Sequence, residues 1–222
     1  MTDHQPDQAT TNPKKGSGLI QGAFDPGNLI LKLELDRIDW LLVPTEQAVE
    51  ELLAVPEFAA LGPASDVIST FFGIVEKWLS RVDLPAIGRM AFGLVLIHPE
   101  ADRASGYRRL PDYVPVRVDP ESSDFLYQIN LPRLQSATGI DGLGINRLSR
   151  WRVAMQRVFG ITMSGRPIQP PGTHEAFALT LELDINTVPA FPGPIPRDRL
   201  LEVFRELVAS AQQIAADGVL TP

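Results

Sequence analysis

Five arginines stand where the chain carries no acid. Between Asp141 and Glu175 the positive residues are Arg147, Arg150, Arg152, Arg157 and Arg166, with no Asp or Glu among them. A guanidinium presents a planar fork of N–H donors that fits a phosphate or carboxylate two bonds at a time. Trp151, inside the same run, offers a ring face for stacking. An anion, nucleic-acid or acidic-partner surface is therefore the first chemistry to weigh. Its plainer rival is a solvated strand face whose arginines pair with acids across the sheet, Glu182 among them. If the segment is a strand, alternation sets Arg150 and Arg152 opposite Trp151 and leaves Arg147 on the tryptophan side.

The acids offer less. Asp119, Glu121 and Asp124 surround Ser122 and Ser123 and could hold a hard cation such as magnesium through oxygen. They lack the glycine and twelve-residue frame of a calcium loop, and Asp119-Pro120 followed by Ser123 and Asp124 reads equally as a turn entering a strand. Asp184 and Asn186 end a later strand on its polar face in the same way. His4, His98 and His174 do not share a ligand spacing. No G-x-S-x-G elbow accompanies them, so a serine hydrolase is disfavoured. Gly142-Leu143-Gly144 lacks the third glycine of a dinucleotide fingerprint, and no Walker lysine occurs. With no cysteine, thiolate zinc sites, iron–sulfur clusters and thiol nucleophiles drop out together. No cofactor is implied.

The elements that must position these residues follow from periodicity. Residues 1–18 are polar and hold nothing to bury, which predicts a disordered tail. From Asn28, Leu29, Leu31, Leu33 and Leu35 alternate with Ile30, Lys32, Glu34 and Asp36, a half-buried strand. The apolar phase then slips to Ile38, Trp40 and Leu42, so a bulge or tight turn is expected near Asp36 and Arg37. Thr45 can cap a short helix to about Val55. Val67, Ile68, Phe71, Phe72, Val75, Trp78 and Leu79 predict a helix over 64–80. Arg89 to Ile97 is apolar on both phases, the pattern of a central strand, and Pro99 should stop it. Residues 100–119 read as a long loop with a short strand at 113–118, and 124–131 as a strand. Residues 145–159 fit either helix or strand, with strand favoured. Glycines and prolines make 160–173 a connection. Phe177, Leu179, Leu181, Leu183 and Ile185 then alternate strictly with polar and small residues, and a last helix over 197–217 carries Leu200, Phe204, Leu207, Val208, Ala211 and Ile214 on one stripe before Gly218.

These pieces predict an α+β fold: a mainly antiparallel sheet covered by two long amphipathic helices, with two related halves as a variant. The organisation expected is the tail, residues 1–18, and a single domain over 19–222 that could subdivide near 100–123. A chain of 222 residues with 44% hydrophobic and 21% charged residues can bury its own core. Its first eighteen residues hold no apolar run and no stretch reaches the length of a bilayer-spanning helix, so a cytoplasmic protein without membrane contact is expected. A net charge of −7 disfavours nucleic acid outside a local patch.

Several strings carry a resemblance. Arg37-Ile38-Asp39-Trp40, Phe58 with Leu61-Gly62-Pro63, Tyr127-Gln128-Ile129-Asn130, Ile145-Asn146-Arg147 and Leu183-Asp184-Ile185-Asn186-Thr187, in this order and followed by the final helix, are similar to the sporadically distributed family of uncharacterised bacterial and archaeal proteins found near mobile genetic islands. The resemblance spans about residues 27–217. That family has no established activity, so it implies no catalytic residue here. The expected function is a non-catalytic component that binds another protein, of an accessory, defence, immunity or antitoxin-like kind. The alternatives are a divalent-cation-dependent phosphoryl-transfer enzyme built on Asp119, Glu121 and Asp124 or on Asp184, and a nucleic-acid-binding module using the 147–166 arginine window.

Overall fold

The leucine alternation that begins at Leu29 folds as one strand of an antiparallel meander. The computed structural model describes residues 6–12, 14–45, 57–133, 139–157, 160–161, 167–168 and 175–219. Within them the chain divides into two compact units, Met1–Val82 and Asp83–Pro222. The break thus falls after Val82, whereas a single domain with a subdivision near 100–123 was expected. Its cause is local pairing: each strand of the first sheet bonds only to its sequence neighbours, which closes that sheet early in the chain.

The first unit contains β1 (Gln8–Asn12), β2 (Ser17–Phe24), β3 (Gly27–Leu33) and β4 (Ile38–Val43), in the order β1-β2-β3-β4. Register sets Ile20, Leu31 and Trp40 side by side on one face. The phase slip is absorbed by a tight turn in which the Glu34 amide donates to the Arg37 carbonyl at 2.8 Å, so Leu33 pairs with Ile38 and Leu35 is left exposed. Helix α1 (Ala64–Leu79) buries Ile68, Ile74, Val75 and Leu79. Its Trp78 meets Trp40 of β4 edge-on at 6.1 Å. The helix expected from Thr45 to Val55 falls, apart from Thr45, on residues 46–56, outside the described residues.

The expected tail is corrected at β1. All five of its residues are exposed, so no burial holds it. It is held by its ladder to β2, by the Gln21 amide donating to Gln8 at 3.0 Å and by Asp7, whose carboxylate accepts the Ala23 N–H at 2.7 Å. A reading that counts only apolar residues passes over such a strand.

Gly27, at the start of β3, is enclosed: a Cβ there would meet the Val43 carbonyl and the Leu61 side chain. Gly27→Ala should destabilise the first unit by about 1–3 kcal/mol through this overpacking. Thermal unfolding checks it, and an unchanged midpoint would show that Leu61 does not close against this hairpin.

The second unit contains β5 (Ala91–Glu100), α2 (Arg103–Arg109), β6 (Leu126–Asn130), β7 (Ile145–Arg157), β8 (Gly160–Ile161), β9 (Pro167–Ile168), β10 (Glu175–Thr187) and α3 (Leu200–Asp217). Its main sheet runs β5-β10-β7-β6, all antiparallel, and β8 and β9 form a separate two-stranded ribbon. The fold is therefore α+β with two four-stranded antiparallel sheets where one was expected. They differ in strand order, the first a plain meander and the second with its last strand inserted beside its first. Segment 145–157 is a strand, and Thr187 to Glu175 pair along it residue by residue.

Two further expectations change. Ala91–Glu100 is an edge strand, not a central one: Phe92 is buried, but Val95 on the other phase is 60% exposed. An edge leaves one side unpaired, so Pro99 is tolerated inside the strand instead of ending it. The stretch 100–119 contains α2 and a 3-10 turn at Leu110–Asp112, and no strand forms at 113–118. Asp102 caps α2, its carboxylate accepting the Ser105 hydroxyl and amide, which together hold its pKa below the ordinary value. Gly106 brings the helix onto β7, where a Cβ would meet the Val153 methyls at 2.7 Å.

Helix α3 buries Val203, Phe204, Leu207, Val208, Ala211 and Ile214, and Gly218 ends it at φ 68°. Phe204 packs edge-on against Phe92 at 6.0 Å. Opposed residues in register share a face, so Phe92, Leu181, Leu183, Ile185, Ser149, Trp151 and Arg147 all lie on the side that α3 covers. No helix among the described residues is long and apolar enough to cross a membrane.

Candidate functional site

The described arginines of the window divide between the two faces of β7. Alternation along β7 separates them as anticipated, with Arg147 and Trp151 on the covered face and Arg150 and Arg152 on the other. Arg157 pairs with Glu175 across the β7–β10 ladder. Arg166 lies outside the described residues. Trp151 is 3% exposed and stacks on Tyr113 at 5.1 Å with 21° between the rings, so its face is already occupied.

The face opposite the helix is ordered by side-chain rungs that run across the strands. One rung is Val95, Glu182, Arg150 and Gln128 on β5, β10, β7 and β6. Arg150 donates to Gln128 at 2.9 Å and to Glu182 at 2.6 Å, which is the cross-sheet pairing its rival reading required. A second network runs from the Asn130 amide to Asn146 at 3.3 Å, from Asn146 to Asn186 at 3.1 Å and from Asn186 to Asp184 at 2.9 Å. Arg89 donates to the Asn186 carbonyl at 3.2 Å. Asparagine amides in such a chain are oriented by one another, so the surface is preformed.

Beyond the Arg150 rung, on the side away from the asparagines, sits the rung Ile97, Thr180, Arg152 and Leu126. Arg152 is exposed, and no carboxylate among the described residues pairs with it. Leu126 beside it is 57% exposed, and Val95 on the neighbouring rung is equally open. The site is therefore a polar lattice in which Arg152, without a carboxylate partner among the described residues, is flanked by apolar side chains. An exposed guanidinium beside apolar side chains suits recognition of an anionic group.

The acidic candidates take the turn role. Asp119 accepts the Glu121 N–H at 3.0 Å through its side chain and the Ser122 N–H at 2.9 Å through its carbonyl, while Asp124 accepts the Phe125 N–H at 2.8 Å. No group of three or more His, Asp or Glu among the described residues forms a metal-ligand set. His98 lies 3.1 Å from Glu100, a buried carboxylate that also pairs with Arg109. His4 and His174 lie outside the described residues.

Periodicity did not single out Arg89 and Gln128 on this face, nor Arg133 and Glu206, which pair at 3.0 Å. Each acts across a strand pairing or a helix packing far in sequence, and only the alternation of β6 and β10 hinted at which phase faced outward. With this geometry in place, comparison with known proteins adds no relative: no family model, no curated protein and no solved structure matches the chain.

Proposed function

We propose that the chain is a non-catalytic binding protein whose second sheet docks an acidic segment of another protein on the face carrying Arg152. We likewise infer that each long helix closes one face of one sheet, α1 on the first and α3 on the second, which leaves the Arg152 face as the available surface. The observation that carries the reading is Arg152 itself, an exposed guanidinium without an acidic partner among the described residues, between Leu126 and Thr180. A partner carboxylate flanked by apolar side chains matches that rung in charge and in polarity. Nucleic acid is the weaker partner, because Trp151 is buried and the net charge is −7. The resemblance to the sporadically distributed family supports an accessory setting in a bacterial cytoplasm and assigns no chemistry.

Arg152→Glu tests this. The substituted residue is exposed and unpaired, so stability should stay within about 0.5 kcal/mol. Capture from a lysate on wild-type and Arg152→Glu protein, compared quantitatively, should show a partner retained by the first, lost from the second and released by rising salt. Arg150→Ala should weaken retention less, since its guanidinium is already committed within the sheet. Identical capture by wild-type and Arg152→Glu protein would overturn the reading.

A further inference from the structure

Arg147 lies on the opposite face from Arg152 and is 9% exposed. Its backbone amide donates to Asn130 at 3.0 Å and its Nε to the Leu131 carbonyl at 2.9 Å. Those bonds fix the guanidinium and leave its two terminal nitrogens without a carboxylate among the described residues. Arg133 stands close by and adds to the positive potential, while Glu206 from α3 bonds to Arg133 at 3.0 Å. Burial and the Arg133 charge both push the Arg147 pKa below its ordinary value, and Glu206 opposes them. An arginine nevertheless stays protonated in proteins.

The charge count is then unbalanced: two guanidinium groups share one carboxylate in a half-buried cluster. A buried charge left without a counter-ion is strongly destabilising, whereas a forked N–H pair binds a carboxylate in two parallel bonds. Ser149, two residues along the same face and about 7 Å away by strand rise, keeps a fully buried hydroxyl with no hydrogen-bond partner among the described residues. Among the described residues, the Ser149 hydroxyl and the terminal N–H groups of Arg147 on this face are thus still open to an acceptor.

We propose that Arg147, with Arg133 beside it, forms a small anion site that takes a monocarboxylate, the excess of one positive charge being matched by one negative charge. The site is independent of the Arg152 surface, so either can fail without the other. Arg147 is its recognition residue, and Arg133 strengthens it from the more open side, where its own side chain is 37% exposed.

The test uses the full chain with sodium formate as the probe, against sodium chloride at equal ionic strength. Formate should give a saturable rise in the unfolding midpoint of roughly 3 °C beyond chloride, with a chemical-shift change at the Arg147 Nε–H. Arg147→Met should abolish that rise. If Arg147→Met does not fold, Arg133→Met, which leaves Glu206 to balance Arg147, should likewise abolish the formate-specific rise, and an undiminished rise in that variant would overturn the site. Equal effects of formate and chloride on the wild-type protein would overturn the site. A larger effect from phosphate than from formate would overturn its assignment to a carboxylate.

Discussion

Phe204→Ala should lower the stability of the second unit by about 3–5 kcal/mol, the cost of removing a fully buried aromatic side chain and leaving its cavity. Phe204 is 3% exposed at the centre of the α3 stripe and meets Phe92 edge-on at 6.0 Å and 81°. Phe92 in turn pairs with Ile185, whose side chain has no exposed surface. The substitution therefore opens a void where helix, edge strand and central strand meet, and the surrounding side chains cannot close it without moving the helix. Thermal unfolding should report a drop on the order of 10 °C. Gln212→Ala, on the exposed side of the same helix, should change little and controls for helix propensity. A Phe204→Ala protein that kept its midpoint but changed its association state would place the stripe at an interface between copies.

That prediction rests on features the sequence made legible, and it shows why others were not. The α3 stripe and the β10 alternation are local periodicities, so burial could be assigned residue by residue before any pairing was known. Segment 145–157 was ambiguous because Trp151 and Met155 satisfy both periods; its pairing with β10 decided the matter, and pairing is not a local property. The edge position of β5 was hidden for the same reason, since two apolar phases look alike whether the second is covered or merely exposed, as Val95 is. Helix α2 was missed because it is two turns long and has a glycine where an apolar residue would mark its face. The cap at Asp102 and Ser105 was its one sequence signal. For the arginines, alternation separated Arg147 from Arg150 and Arg152, and Glu182 was named as a partner. The burial of Arg147 against Leu131 depended on where α3 packs, which no spacing in the window encodes.

Trp151→Ala should be as damaging as Phe204→Ala, about 3–5 kcal/mol, and it separates two roles for the same residue. On the sequence alone Trp151 could stack a base among arginines. In the fold it occupies a rung with Tyr127 and Leu181 and lies under Tyr113, 3% exposed. A stacking platform would lose oligonucleotide binding on substitution while the protein stayed folded, whereas a core residue loses stability first. Trp151→Phe sharpens the contrast. The indole N–H is buried with no hydrogen-bond partner among the described residues, so replacing the ring with phenyl removes a donor that satisfies nothing. That variant should retain much more stability than Trp151→Ala, its remaining deficit reflecting the smaller ring. Unfolding curves of the three proteins, read alongside titration with a single-stranded oligonucleotide at low salt, decide the matter. A Trp151→Ala protein that melts with the wild type and fails to bind the oligonucleotide would return Trp151 to the surface and the arginine window to nucleic acid. Early unfolding of Trp151→Ala, with Trp151→Phe close to wild type, fixes the residue as the support on which the Arg152 rung is held flat.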